Sequence, residues 1–275
     1  MIDLKTAAEL IDFSTRIGSG PRAMEQLEGS VALYNILEQR NVAYLADEVG
    51  MGKTYVALGT LALFRHFNPA FRVLVIAPRF NIQDKWMRET RKFVAHMVRF
   101  PDLRVKGLDD KPNVPLVMCD NLLSLVHETS LDSHRDFFAR LTSFSLPLGG
   151  KNDEVDLGEA RRLRNGLKPY LRWMEDEVFD LRQKQAFKDN FARALCCALP
   201  KFDLVVVDEG HNLKHGFRED SSSRNRTLAI AMGHPRSNSD ARLFRNFGPR
   251  AARVRAPYRW RTARRRGSRR KGKEG

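Results

Sequence analysis

The chain alternates between two hydrophobic periods. Short apolar runs at 42–46, 72–77, 114–119 and 203–207 have the length and boundaries of strands, and a weaker run at 103–108 is a further candidate. Between them apolar residues recur at helical spacing. This holds for 1–20 (Leu4, Ala7, Ala8, Leu10, Ile11), 21–38 (Met24, Leu27, Val31, Leu33, Tyr34, Ile36), 54–67, 82–94 (Ile82, Trp86 and Phe93 inward) and 223–232. Asn68-Pro69 ends the third of these, and Asp120 is the predicted cap of another helix through Val126. The runs 72–77 and 203–207 have no polar face, which predicts strands buried on both sides, as in a parallel sheet. Strands alternating with helices predict an α/β fold. Over 129–200 the pattern changes: 132–144 reads as helical, 149–158 as a polar loop and 168–199 as a long helical stretch, so the whole is predicted to be a helical insertion.

Composition narrows the class. The chain has 275 residues, 42% of them hydrophobic, which allows one large domain or two small ones with a real core. No apolar run is long enough to span a bilayer, and the mixed, charged N-terminus is no secretory signal, so no membrane partner and a cytoplasmic location are expected. Cys119, Cys196 and Cys197 lack metal-ligand spacing and fit buried, inert thiols in a reducing compartment. The net charge of +15 suggests nucleic acid until its distribution is seen. Residues 234–275 hold thirteen Arg and two Lys against Asp240 and Glu274, so the rest of the chain is nearly neutral.

Two stretches carry chemistry. The run 42–46 leads into a turn with Gly50 and Gly52, then Lys53, Thr54 and an apolar helix. That order of strand, glycine loop, Lys-Thr and helix suits a phosphate-binding loop, or Walker A motif. Glycines let backbone N–H groups curl around an anion, and the helix start adds unpaired donors. Lys53 would reach the β- and γ-phosphates and Thr54 would place its hydroxyl on Mg²⁺. Asp47 stands where the strict pattern has its first glycine; a chance turn capping a core helix is the alternative. The second stretch is Asp208-Glu209-Gly210-His211, directly after a Val-Val-Val run. Asp208 would hold Mg²⁺, and Glu209 would orient and deprotonate an attacking water. A solvated turn is the alternative there, and the two motifs together weigh against both alternatives.

Leu45-Ala-Asp-Glu-Val-Gly-Met-Gly-Lys-Thr54 and the Asp208-Glu-Gly-His211 box resemble motifs I and II of superfamily-two helicases and translocases, most closely the Swi/Snf-like DNA-dependent ATPases. That group tolerates Asp at position 47. The resemblance implies a RecA-like P-loop NTPase domain over 21–233, with a mostly parallel sheet flanked by helices, after an N-terminal helix over 1–20. It implies ATP and Mg²⁺ as cofactors, cradled by Glu48, Val49, Gly50, Met51, Gly52, Lys53 and Thr54. Gln26, in Gln26-Leu-Glu-Gly29, is the candidate for reading adenine, with an exposed helix glutamine as the alternative. His211 would couple the nucleotide site to motif III, unless it is an ordinary loop histidine. Arg79, Asn81 and Gln83, after the strand that resembles motif Ia, are candidates for touching a nucleic-acid backbone, with a solvated loop as the equal alternative; Trp86 is expected in the core. The partner implied is nucleic acid, in the form of double-stranded DNA.

The likeness stops near residue 233. Neither a Ser-Ala-Thr motif III nor a second RecA-like domain follows, and Arg253-Val254 is the one start of such a strand. The tail after Val254 carries eight Arg and two Lys with almost no apolar periodicity. It is either a disordered phosphate-binding arm or sequence translated out of frame, and its onset where motif III is due favours the second. The expected function is the ATP-binding half of a helicase or translocase, weak or inactive alone and completed by a second helicase domain, which a separate chain could supply. The alternative is a non-catalytic nucleic-acid-binding or adaptor protein that keeps the fold.

Overall fold

The computed structural model describes residues 1–17, 20–45, 52–101, 116–131, 136–149, 155–179, 181–213 and 222–233, without the side chains of 16–17 and 211–212. The 103–108 strand candidate and the basic tail lie outside them. The elements run α1 (Leu4–Leu10), α2 (Ser14–Ile17), α3 (Pro21–Arg40), α4 (Lys53–Phe67), β1 (Val73–Ala77), α5 (Phe80–His96), β2 (Val117–Met118), α6 (Leu122–Ser130), β3 (Asp136–Arg140), α7 (Leu157–Leu167), α8 (Lys184–Ala198), β4 (Leu204–Val207) and α9 (Ser223–Ala231). The four strands form one sheet in the order β2-β3-β1-β4, every pair parallel. The domain is therefore α/β, as the alternating periods imply, and its parallel sheet between helices fits the RecA-like fold that the resemblance implies.

β1 (Val-Leu-Val-Ile-Ala) is buried at all five positions, and its side chains alternate between two cores. Val73, Val75 and Ala77 face α1, α3, α4 and α5; Leu74 and Ile76 face α6, α7, α8 and α9. The result is three layers, helix–sheet–helix. On the first face α3 and α4 cross closely. A Cβ on Gly59 would fall 2.3 Å from the Ser30 hydroxyl, and that hydroxyl donates to Gln26 O at 2.7 Å and Val56 O at 3.1 Å. A larger residue at 59 would push α4, and the loop before it, away from α3.

Several sequence expectations fail here. The described part of 132–144 is not an α-helix: Asp136–Arg140 is β3, an interior strand, followed by a 3₁₀ turn at Leu141–Ser145. A run as short as Phe137-Phe138-Ala139 satisfies either period, and pairing on both edges decides for the strand. The interval 129–200 thus contributes to the sheet, and its helical part is α7 and α8. These are separate helices, because Pro169 follows α7 at once and the described residues of 168–183 are irregular apart from a 3₁₀ turn at Asp176–Val178. The N-terminal stretch is two short helices broken at Ile11, which bridges Val98. Asn121, not Asp120, caps α6, in a reciprocal capping box with Ser124. Residues 42–45 lead toward the loop without joining the sheet.

Candidate functional site

Parallel strands place their following turns on one side of the sheet. β1 ends at Ala77 and runs through Pro78 and Arg79 into α5; β4 ends at Val207 and runs into Asp208. Asp208 N–H donates to Ile76 O at 3.0 Å, so the sheet ladder holds the acidic turn for one residue beyond β4. Glu209 then turns the chain with φ +55°, the left-handed region, and is exposed. Its N–H donates to Asp208 Oδ1 at 2.9 Å, while Asp208 Oδ2 accepts from the Trp86 indole N–H at 2.8 Å. The Asp208 carboxylate is fixed from two sides and partly open on the rest.

On the loop side, Gly52 caps α4 with φ +84°, a conformation that suits glycine. Lys53 and Thr54 form the first turn of α4 and are partly buried. Gln26, 3% exposed on α3, presses against this turn: a Cβ on Gly52 would fall 2.1 Å from its Nε2. Its Oε1 is buried without a hydrogen-bond partner among the described residues. The exposed-glutamine alternative is thereby excluded. Tyr55 donates its hydroxyl to Glu89 Oε2 of α5.

The two sides meet at two places. The Tyr44 ring, just before the loop, lies beside the acidic turn, where a Cβ on Gly210 would meet it at 3.7 Å. Helix α5 touches Asp208 through Trp86 and α4 through Glu89, three residues apart. Glu48, Val49, Gly50 and Met51 lie outside the described residues. His211 sits in the 3₁₀ turn Gly210–Leu213, its side chain likewise not described. Among the described residues no cluster of three His, Cys, Asp or Glu side chains forms a metal cage. Mg²⁺ at nucleotide sites is held by one or two side chains and the phosphates, so Asp208 and Thr54 suit it without such a cage.

Other candidates divide. Arg79 and Asn81 are exposed at the start of α5. Gln83 is fully buried and donates to the carbonyls of Cys119 and Phe138, so it ties α5 to β2 and β3 and is not free to touch a polynucleotide. Trp86 is 4% exposed, in the core as expected, but its link to Asp208 carries no sequence signal. Burial pushes the thiol of Cys119 up to about 12, of Cys196 to about 11 and of Cys197 to about 12, so all three are poor nucleophiles. An open groove of about 390 Å³, lined by Tyr34, Phe64, Phe67, Phe71 and Leu204, lies at the opposite, amino end of the strands, away from this chemistry. No described helix is long and apolar enough to cross a membrane.

Comparison with known proteins agrees with this fold. The family model described as type III restriction enzyme, res subunit, matches residues 21–231. Human Helicase ARIP4 is 25% identical over 210 residues, 71% of this chain and 13% of the relative. The Chromatin-remodeling ATPase INO80 of Cryptococcus neoformans var. neoformans serotype D (strain B-3501A) is 39% identical over 77 residues, 28% of this chain and 4% of the relative. The chain thus spans a small part of these relatives' length. No solved structure matches. The chain belongs to the type III restriction enzyme res subunit family, as a superfamily-two helicase ATPase domain of the Swi/Snf-like kind.

Proposed function

We propose that this chain binds ATP and Mg²⁺ between the loop 46–52 and the Asp208–Glu209 turn, as the ATP-binding half of a nucleic-acid-dependent helicase or translocase. The observation that carries the reading is the packing of Tyr44 beside Gly210, which joins the chain leading into the loop to the acidic turn. Lys53 reaches the β- and γ-phosphates, and the N-terminal N–H groups of α4 add their donors. Thr54 and Asp208 hold Mg²⁺, which when bound neutralises phosphate charge. Glu209 orients the attacking water, and His211 links this turn to the segment after it. The buried, unpaired Gln26 Oε1 has the chemistry to accept from an adenine amino group.

The domain proposed is 21–233, with duplex DNA as its polynucleotide and Arg79 and Asn81 at the contact. Alone it turns over slowly, because an arginine finger from a second domain is worth about 10³–10⁵ in rate. A cytoplasmic and a nuclear location are both compatible with a DNA partner.

Lys53→Ala tests the reading. Losing a charged contact to phosphate costs about 1.5–3 kcal/mol, so the affinity for a fluorescent ATP analogue drops at least about tenfold. Unchanged affinity overturns the site and leaves the adaptor alternative. Adding a second helicase domain in trans, then DNA, raises ATP hydrolysis; a rate indifferent to every polynucleotide refutes the translocase half.

A further inference from the structure

Helix α5 is the element that contacts both sides of the site, and it does so with side chains one turn apart. Trp86 and Glu89 are neighbours at i and i+3 on one helix face. The Trp86 indole donates to Asp208 Oδ2 at 2.8 Å across 122 residues of sequence, and Glu89 accepts from Tyr55, two residues after Lys53. The helix itself is anchored. Gln83, one turn earlier and fully buried, donates to the carbonyls of Cys119, just past β2, and Phe138, in the middle of β3, and Trp86, Met87, Thr90, Phe93 and Val94 are buried along it.

We propose that α5 is a two-armed positioning element: Trp86 sets the rotation of the Asp208 carboxylate for the metal ion, and Glu89 fixes the first turn of α4 through Tyr55. The inference rests on the ATP–Mg²⁺ reading above and adds residues that touch neither ligand. The physical reason is the hydrogen bonding of Asp208. Glu209 N–H holds Oδ1 and the indole holds Oδ2, so the carboxylate is held against rotation while each oxygen keeps further acceptor capacity for an ion. Without the indole one oxygen is released, and the ion must order the carboxylate as it binds. Groups that orient metal ligands in this way change metal affinity by about 10–100-fold when removed. The second arm has a different signature. Tyr55 belongs to the turn whose N–H groups and Lys53 face phosphate, so loosening it weakens nucleotide with or without the metal.

The test uses the full chain, a fluorescent ATP analogue and Mg²⁺. Trp86→Phe keeps an aromatic ring and removes the donor. It raises the Mg²⁺ concentration at half-saturation about tenfold and leaves affinity for the analogue in EDTA unchanged. Tyr55→Phe weakens the analogue about threefold in EDTA and in Mg²⁺ alike, as for one modest hydrogen bond. Lys53→Ala runs beside them. If it abolishes binding while Trp86→Phe leaves the Mg²⁺ midpoint in place, the positioning role is overturned and the site stands. If Lys53→Ala changes nothing, both fall. Equal weakening by Trp86→Phe in EDTA and Mg²⁺ makes the indole mere packing and also overturns the role. Should that variant fail to fold, the unaltered chain decides. The ¹⁵N-indole signal of Trp86, assigned by removing Trp173 and Trp260 in turn, shifts when Mg²⁺ joins the nucleotide complex; a signal that stays put overturns the proposal.

Discussion

β1 and β4 are nearly the same sequence in different places. Val-Leu-Val-Ile-Ala and Leu-Val-Val-Val pair directly, with Val75 opposite Val206 and Ile76 opposite Val207. Yet β1 lies between β3 and β4 and is buried throughout, whereas β4 is only half-buried and pairs, among the described strands, with β1 alone. The aromatic groove opens at its first residue, Leu204. β4 launches the acidic turn of the candidate site, while β1 runs into α5, which reaches that turn through Trp86, so the turn stands on a margin and its support on an interior strand. An apolar run says that a strand is wanted inside; it does not say how many neighbours cover it. A free apolar edge is also a template for further pairing.

The largest effect tests the interior side. The buried Asp136, opposite Val73 at the start of β3, is paired with the equally buried Arg65 of α4. Arg65→Met leaves a carboxylate in the core without its cation, which costs about 3–5 kcal/mol. Chemical denaturation measures it. A loss under about 1 kcal/mol would mean that water reaches Asp136, and that the interior margin of β1 is as wet as the outer one.

The next test sets the two strands against each other. Val75 and Val206 are register partners facing the same core, so Val75→Ala and Val206→Ala delete the same atoms on one face. Val75→Ala costs about 2–3 kcal/mol, from lost transfer energy plus a cavity in a fully packed row. Val206→Ala costs roughly half of that, because the site is already partly solvated and can relax. Equal losses measured in the same denaturant would break the comparison, since they require β4 to be covered as fully as β1.

Much of the fold was legible because its signals are local. The runs 72–77 and 203–207 announce β1 and β4 by composition, Asn68-Pro69 stops α4, and the order Gly52-Lys53-Thr54 marks the helix start that the structure shows. What failed depends on long-range pairing. Phe137 and Phe138 become strand residues only because β1 and β2 flank them, and 42–45, with the right residues, finds no described edge to join. Gln83 looks like a loop-facing polar residue until the carbonyls of Cys119, just past β2, and Phe138, within β3, claim its amide. Asp120 and Asn121 are both good caps, and local backbone geometry chooses between them. In the site, the residue type of Asp208 and the family resemblance around Gln26 suggested contact with a ligand. Their orienting contacts, with Trp86 and Gly52, come from distant parts of the chain.

The smallest effect lies at the outer counterpart of Asp136. Asp203 stands just before β4, exposed, and its carboxylate accepts the Arg72 N–H at 2.7 Å while its own N–H donates to Arg72 O at 2.9 Å. The two aspartates thus flank the start of β1, one in the core and one in water. Asp203→Ala removes an acceptor whose donor can turn to solvent, so the loss is about 0.5–1 kcal/mol and the backbone half of the exchange survives. Hydrogen exchange sharpens the point beyond denaturation. In the variant the Arg72 amide exchanges faster, while the amides of β1 itself keep their protection, because those are held by β3 and β4. If protection were lost along the whole of β1, the outer margin would be holding the sheet together, and the ranking of interior over edge would have to be reversed.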